Sequence, residues 1–193
     1  MRTGFRHGDR RFPFLWDSSG QPPARWHGPD DGPVQYLADT ADGAWAEFLR
    51  HEEIRDPADL AGVNRRLWVV ELPDDIDGAA SPELDVADLV GDPLTYAACR
   101  KEARRLRRKG ARALVAPSAA LLTGASRGQL TEGSLREAGD RDGSVWALFG
   151  PRPALRGWAA VDGGAPTERI LSLVRHFGSG ASPDARRSDR EER

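Results

Sequence analysis

Apolar residues in this chain fall into short runs broken by Gly, Pro and Asp, with only a few stretches at helical spacing. The run VQYLA at 34–38 predicts a strand. Asp39-Thr40 then opens a helix in which Ala44 and Phe48 stand at i,i+4 with Trp45 and Leu49 beside them, which gives one broad buried face. LWVVEL at 67–72 predicts a second strand, stopped by Pro73 and a loop of Asp, Gly and Ser. Asp92-Pro93 reads as an N-cap with proline at the first helical position, and the helix it starts runs through CRKEARRLRRK to Gly110. Short strands are predicted at 113–116, leading into Pro117-Ser118, at 145–149 and at 158–161. Ile170, Leu171, Leu173, Val174 and Phe177 predict a last amphipathic helix over 167–177, ended by Gly178. The first twenty or so residues carry little periodicity. There Phe12, Phe14, Leu15 and Trp16 suggest an extended segment closed by Ser19-Gly20 and Pro22-Pro23.

Strands and helices intermingle without regular βαβ alternation or internal repeat, so the expected class is α+β. Residues 1–178 read as one domain, and the polar, charged residues 179–193 as a disordered tail. The chain has 193 residues, enough to bury a core of its own. No apolar run approaches the roughly 18 residues of a membrane span, and the basic N-terminus lacks the apolar core of a signal peptide. Cys99 is the single cysteine, which excludes an internal disulfide and a cysteine-based zinc site. His7, His27, His51 and His176 fall at no metal-ligand spacing, so no metal is expected. A cytoplasmic protein without a bound cofactor is the resulting expectation.

A net charge of −2 argues against direct nucleic-acid binding. The basic residues are almost all arginine, with lysine only at 101 and 109, so each arginine has to be judged by its context. The run 100–109 puts seven positive charges and one glutamate on a helix. A solvated face accounts for it, with an acidic partner or nucleic acid as the alternative.

The densest chemistry lies in ARWHGPDDGPVQYLADTADGAWAEFLRHEE, residues 24–53. A turn rich in Gly, Pro and Asp folds Arg25, Tyr36 and Glu47 back on one another. A carboxylate, an arginine and an aromatic brought together in this way suit a cationic, phosphate-bearing ligand. Glu47 sits at the border of the apolar helix face, with a solvated helix residue as the plain alternative. Arg25 can hold a phosphate through a bidentate pair; otherwise it stacks on Trp26 or pairs with Asp30. Trp26 and His27 flank it as candidate ligand contacts. Tyr36 fits the core by its period and a cleft by its hydroxyl. Ser118 follows a strand end, where turn residues and site residues both occur. Gly124-Ala125-Ser126-Arg127-Gly128 matches the G-x-S-x-G elbow, with Asp162 and His176 downstream in order. The preceding apolar segment is too short, however, and GQLTEGSLREAG is a poor helix, so a hydrolase is not favoured.

Over about residues 5–149 the pattern resembles the RES domain, the toxin half of RES–Xre toxin–antitoxin pairs. The family's arginine, glutamate and serine would be Arg25 in ARWH, Glu47 in WAEFL and Ser118 in VAPSA. Phe5-Arg6 is similar to the aromatic-arginine pair that opens many members, which makes Arg6 a second ligand contact. The resemblance implies a compact domain similar to ADP-ribosyltransferases, with a mixed, strongly bent sheet flanked by helices. It also implies consumption of NAD as substrate, with water or phosphate as acceptor, and an Xre-type antitoxin as partner. Glu47 and Arg25 would be catalytic; Arg6, Tyr36, Ser118, His27 and Trp26 would bind substrate. Transfer of ADP-ribose to a macromolecule is the alternative within enzymes. Ala24 and His27, which stand where the family commonly has Gly and Asn, motivate a second alternative, a non-catalytic partner-binding module.

Overall fold

In the computed structural model, residues 2–15, 20–131 and 133–178 are described. Along the chain run β1 (Thr3–Asp9), β2 (Val34–Ala38), α1 (Ala41–His51), β3 (Arg65–Glu71), α2 (Val86–Val90), α3 (Tyr96–Arg108), β4 (Ala113–Pro117), β5 (Gln129–Leu130), β6 (Arg136–Glu137), β7 (Ser144–Phe149) and β8 (Gly157–Gly164). Short 3-10 turns fill several of the connections. The class is α+β, as expected. Six strands form one sheet in the order β4-β7-β2-β1-β3-β8, and every ladder in it is antiparallel. Parallel pairing is confined to isolated bridges, such as Ala80 with Leu114.

The sheet is split. β1 pairs with β3 over seven residues and β2 with β7 over five, yet β1 and β2 pair only at Phe5 and Ala38. Two three-stranded halves therefore diverge beyond that point. They approach closely only at the pinned end, where a Cβ on Gly4 would come within 2.9 Å of the Leu37 Cβ.

One apolar cluster covers α1: Ala44, Trp45, Phe48 and Leu49 pack with Leu60, Leu67, Leu121 and Ile170. A second joins Cys99, Ala103 and Leu106 of α3 to Val34, Leu114, Ala147 and Phe149 of the sheet. A third gathers Leu37, Val70, Leu72 and Leu148 with Ile76. Alternation in β2 explains the division, since Val34, Tyr36 and Ala38 serve the first two clusters and Leu37 serves the third.

The ends of α1 are set by sequence. Thr40 Oγ1 accepts from Gly43 N at 3.0 Å, and Arg50 and His51 occupy the last turn. In α3 the buried stripe is Cys99, Glu102, Ala103 and Leu106. Gly110 follows it with φ +90, a conformation that ends the helix without the cost a Cβ would add. The charged face of α3 is only partly solvated. Arg104 pairs with Asp31, Arg105 with Glu102 and Glu83, and Arg107 lies over Phe149.

Three expectations need correction. The N-terminal strand is Thr3–Asp9, a central strand, whereas 11–15 are turn and bend, and Trp16 falls outside the described residues. TGFRHGD lacks apolar alternation because Arg6 and His7 are not core residues. The segment 167–177 is a 3-10 turn, Glu168–Leu173, followed by a bridge from Val174 to Leu121, not an amphipathic helix. Part of GQLTEGSLREAG forms the small β5–β6 ladder. The tail 179–193 lies outside the described residues. Among the described residues, no helix is long and apolar enough to cross a membrane.

Candidate active site

A cavity of about 480 Å³ opens where β1 and β2 part, and α1, the 24–26 turn and Tyr96 at the start of α3 complete its wall. That volume lies within the range of small-molecule sites. Arg6, Arg25, Trp26, Tyr36 and Glu47 all line it. Five residues singled out in the sequence thus meet in one place, from β1, a turn, β2 and α1.

Glu47 projects from the middle of α1, with its side chain 25% exposed. His51 Nε2 stands 3.7 Å from Glu47 Oε2, one helical turn on. The other lining carboxylate, Asp9, is held by Arg11. Four arginines face these two acids: Arg6, Arg25, Arg50 and Arg65. Among the described residues none of the four forms an ion pair. Burial pushes the Arg6 guanidinium down to about 10, although Nη1 donates to Gln35 Oε1 at 2.8 Å.

Arg25 is buried and neither stacks on Trp26 nor pairs with Asp30. Its guanidinium lies 4.6 Å from the Tyr96 ring and donates to Asp88 O, to Thr95 Oγ1 and to Gly91 O. Tyr36 is a hub. Its hydroxyl accepts from Trp26 N at 3.0 Å and lies 2.9 Å from His27 Nδ1. Burial lowers the His27 pKa and raises that of Tyr36, so both groups are neutral near pH 7. Trp26 adds an indole Nε1–H that is buried without a hydrogen-bond partner beside the cavity.

Two candidates stand back from the wall. His27 is 1% exposed and is not a lining residue; it touches the lining residue Tyr36. Ser118 is also buried behind the wall, and its Oγ accepts from Ala120 N and Leu121 N. That contact shapes the turn whose neighbours Pro117 and Ala119 do reach the cavity.

The elbow motif is not assembled. Ser126 Oγ accepts from Arg141 Nη2 at 2.7 Å, and Asp162 pairs with Arg66 and Arg10. Among the described residues, no group of three or more His, Cys, Asp or Glu side chains is placed to hold a metal ion.

His7, Arg50, Arg65 and Tyr96 also line the cavity and were missed in the sequence. Arg50 had a signal, since it stands three residues after Glu47 on the same helix. His7 lies on a strand that the hydrophobic pattern did not reveal. It is tilted against Phe48 at 5.3 Å and lies 3.3 Å from Arg65 Nη2. Burial, then Arg65 and Arg6, push its pKa down to about 3.

An α+β domain with an arginine-rich cavity at a split in its sheet is therefore the class that fold and site define. Residues 2–128 match the family model of the RES domain, well over half of the chain. The chain belongs to the RES domain family. The comparison with curated proteins gives no match.

Proposed function

We propose that the protein consumes NAD by breaking the bond between nicotinamide and ribose, with water or phosphate as the acceptor of ADP-ribose. The observation that carries this reading is one cavity that sets Glu47 against four arginines without ion pairs. NAD presents the complementary charges, a cationic nicotinamide riboside and an anionic pyrophosphate. Membership of the RES domain family supports the same reading, and with it a toxin restrained by an Xre-type antitoxin.

The chemistry asks little of acid catalysis. As the C1′–N bond breaks, its electron pair passes to the pyridinium nitrogen, and nicotinamide leaves neutral. The ribose becomes an oxocarbenium-like cation, as in glycoside cleavage. Glu47 stabilises that charge and accepts from a ribose hydroxyl. Arginines hold the pyrophosphate, Tyr36 packs on the sugar or the leaving ring, and Trp26 Nε1 supplies a donor. Attack by water gives ADP-ribose and a proton; attack by phosphate gives the phosphorylated sugar.

The test is release of nicotinamide from NAD by the purified protein, with and without inorganic phosphate. Release that phosphate accelerates, with ADP-ribose 1″-phosphate as product, names phosphate as acceptor. No release from folded, partner-free protein would overturn the reading.

A further inference from the structure

Arg25 and Arg50 come from different elements and converge on one acceptor. Arg25 Nη2 donates to Gly91 O at 2.7 Å, and Arg50 Nη2 donates to the same oxygen at 2.5 Å. Arg50 Nη2 also reaches Val90 O, and Arg25 Nη1 reaches Asp88 O. These carbonyls close the C-terminal end of α2, so the two guanidinium groups cap it.

Capping does not account for the whole arrangement. Arg50 is 2% exposed, and its Nη1 is buried without a hydrogen-bond partner. Two buried positive charges share neutral carbonyls, and neither has a carboxylate partner among the described residues. Buried charge is ordinarily paired. Rings also fix both planes, Tyr96 against Arg25 at 4.6 Å and Phe177 against Arg50 at 4.4 Å. The donors are thus held in place before any ligand arrives, and both side chains line the cavity.

The geometry points to a phosphate-binding subsite formed by Arg50 and Arg25, in which Arg50 Nη1 donates directly to a phosphate oxygen. The identity of the phosphate's owner rests on the reading above; the subsite itself rests on the unpaired guanidinium groups. Arg50 and Glu47 stand at i,i+3 on α1, on neighbouring surface of one helix, about 5–6 Å apart at Cβ. A phosphate held by Arg50 is therefore within reach of a ribose held by Glu47. Two sources share this chemistry: the pyrophosphate of the dinucleotide, and free inorganic phosphate as the acceptor.

Calorimetry on the whole protein separates them, with inorganic phosphate and ADP-ribose as ligands for wild type and Arg50→Lys. Lysine keeps the charge and loses the fork. Loss of one charge-assisted hydrogen bond weakens binding by at least roughly 10-fold. Inorganic phosphate that binds wild type and fails this test in Arg50→Lys assigns the subsite to the acceptor. ADP-ribose alone behaving so assigns it to the pyrophosphate. Equal binding of both ligands to both proteins overturns the proposal, as does wild type that binds neither. Arg50-dependent binding in a protein that never cleaves NAD would uphold the subsite and sink the NAD reading. A second measurement does not depend on the variant folding: the Arg50 guanidinium N–H resonances of wild type should shift on saturation with the bound ligand. Unmoved resonances overturn the proposal.

Discussion

Arg6 reaches across the split in the sheet to Gln35, Nη1 to Oε1 at 2.8 Å. Its strand and that of Gln35 pair only at Phe5 and Ala38, so this side-chain contact bridges a gap the backbone leaves open. The same gap forms the cavity. A charged side chain sits at the centre of the sheet, where an apolar one would ordinarily pack, because the sheet parts there to make a site.

Arg6 is expected to add little to stability. Its hydrogen bond to Gln35 is worth about 1.5–3 kcal/mol, and the burial that pulls its pKa down to about 10 costs a similar amount. Arg6→Met should therefore unfold in urea within about 1 kcal/mol of wild type, while affinity for ADP-ribose falls at least roughly 10-fold. Unchanged affinity with a large loss of stability would make Arg6 a structural latch only.

Glu47→Gln preserves the shape of the helix border and removes the charge. If Glu47 stabilises the ribosyl cation, nicotinamide release should fall by about 10²–10³-fold, with the circular dichroism spectrum unchanged. The loss should appear in kcat more than in KM, because the cation exists only in the transition state. Near wild-type turnover would remove Glu47 from the mechanism.

Elements dominated by local signals were legible in the sequence. VQYLA and the helix after Thr40 appear where the pattern put them, and so do Arg25, Tyr36 and Glu47 around one cavity. β1 was illegible because its alternation is spent on Arg6, His7 and two glycines that serve the site and the close approach to β2, not on core residues. The apolar set of 170–177 suits a helix and a 3-10 turn equally, and contact with α1 and Leu121 decides between them. Tyr96 gave no signal, since its role depends on Arg25 arriving from seventy-one residues away.

Tyr36→Phe isolates the hydroxyl hub. The substitution keeps the ring and leaves Trp26 N and His27 Nδ1 without their partner. Two buried polar groups unpaired together should cost about 2–4 kcal/mol, read from urea unfolding. Trp26 and Arg25 sit on the turn that this hydroxyl holds, so ADP-ribose binding should weaken as well. Stability within 0.5 kcal/mol of wild type, an estimate of the scale for a bond not formed, would mean that the hub does not hold the turn.

Ser126→Ala tests the elbow motif. Ser126 Oγ is occupied by Arg141 Nη2, so its loss should cost about 1 kcal/mol. Nicotinamide release and KM for NAD should stay at wild-type values. Lost activity in a folded variant would restore Ser126 as a candidate nucleophile.

His7 gives the protein a defined pH dependence. Its pKa is about 3 in the folded chain, against an ordinary value of 6.5, because burial and the charges of Arg65 and Arg6 oppose protonation. Between those two pH values the unfolded chain binds the proton and the folded chain does not. Stability from this residue is therefore fully present above pH 6.5 and falls as the pH drops toward 3. The slope is bounded by about 1.4 kcal/mol per pH unit, and partial access of His7 to the cavity reduces it. His7→Phe keeps a ring against Phe48 and removes the titrating group. Urea unfolding of both proteins between pH 4 and 8 should give curves that run parallel above about pH 6.5. Below that value wild type should lose stability faster than the variant. The opposite divergence would mean that His7 is protonated in the folded protein, paired with an anion in the cavity.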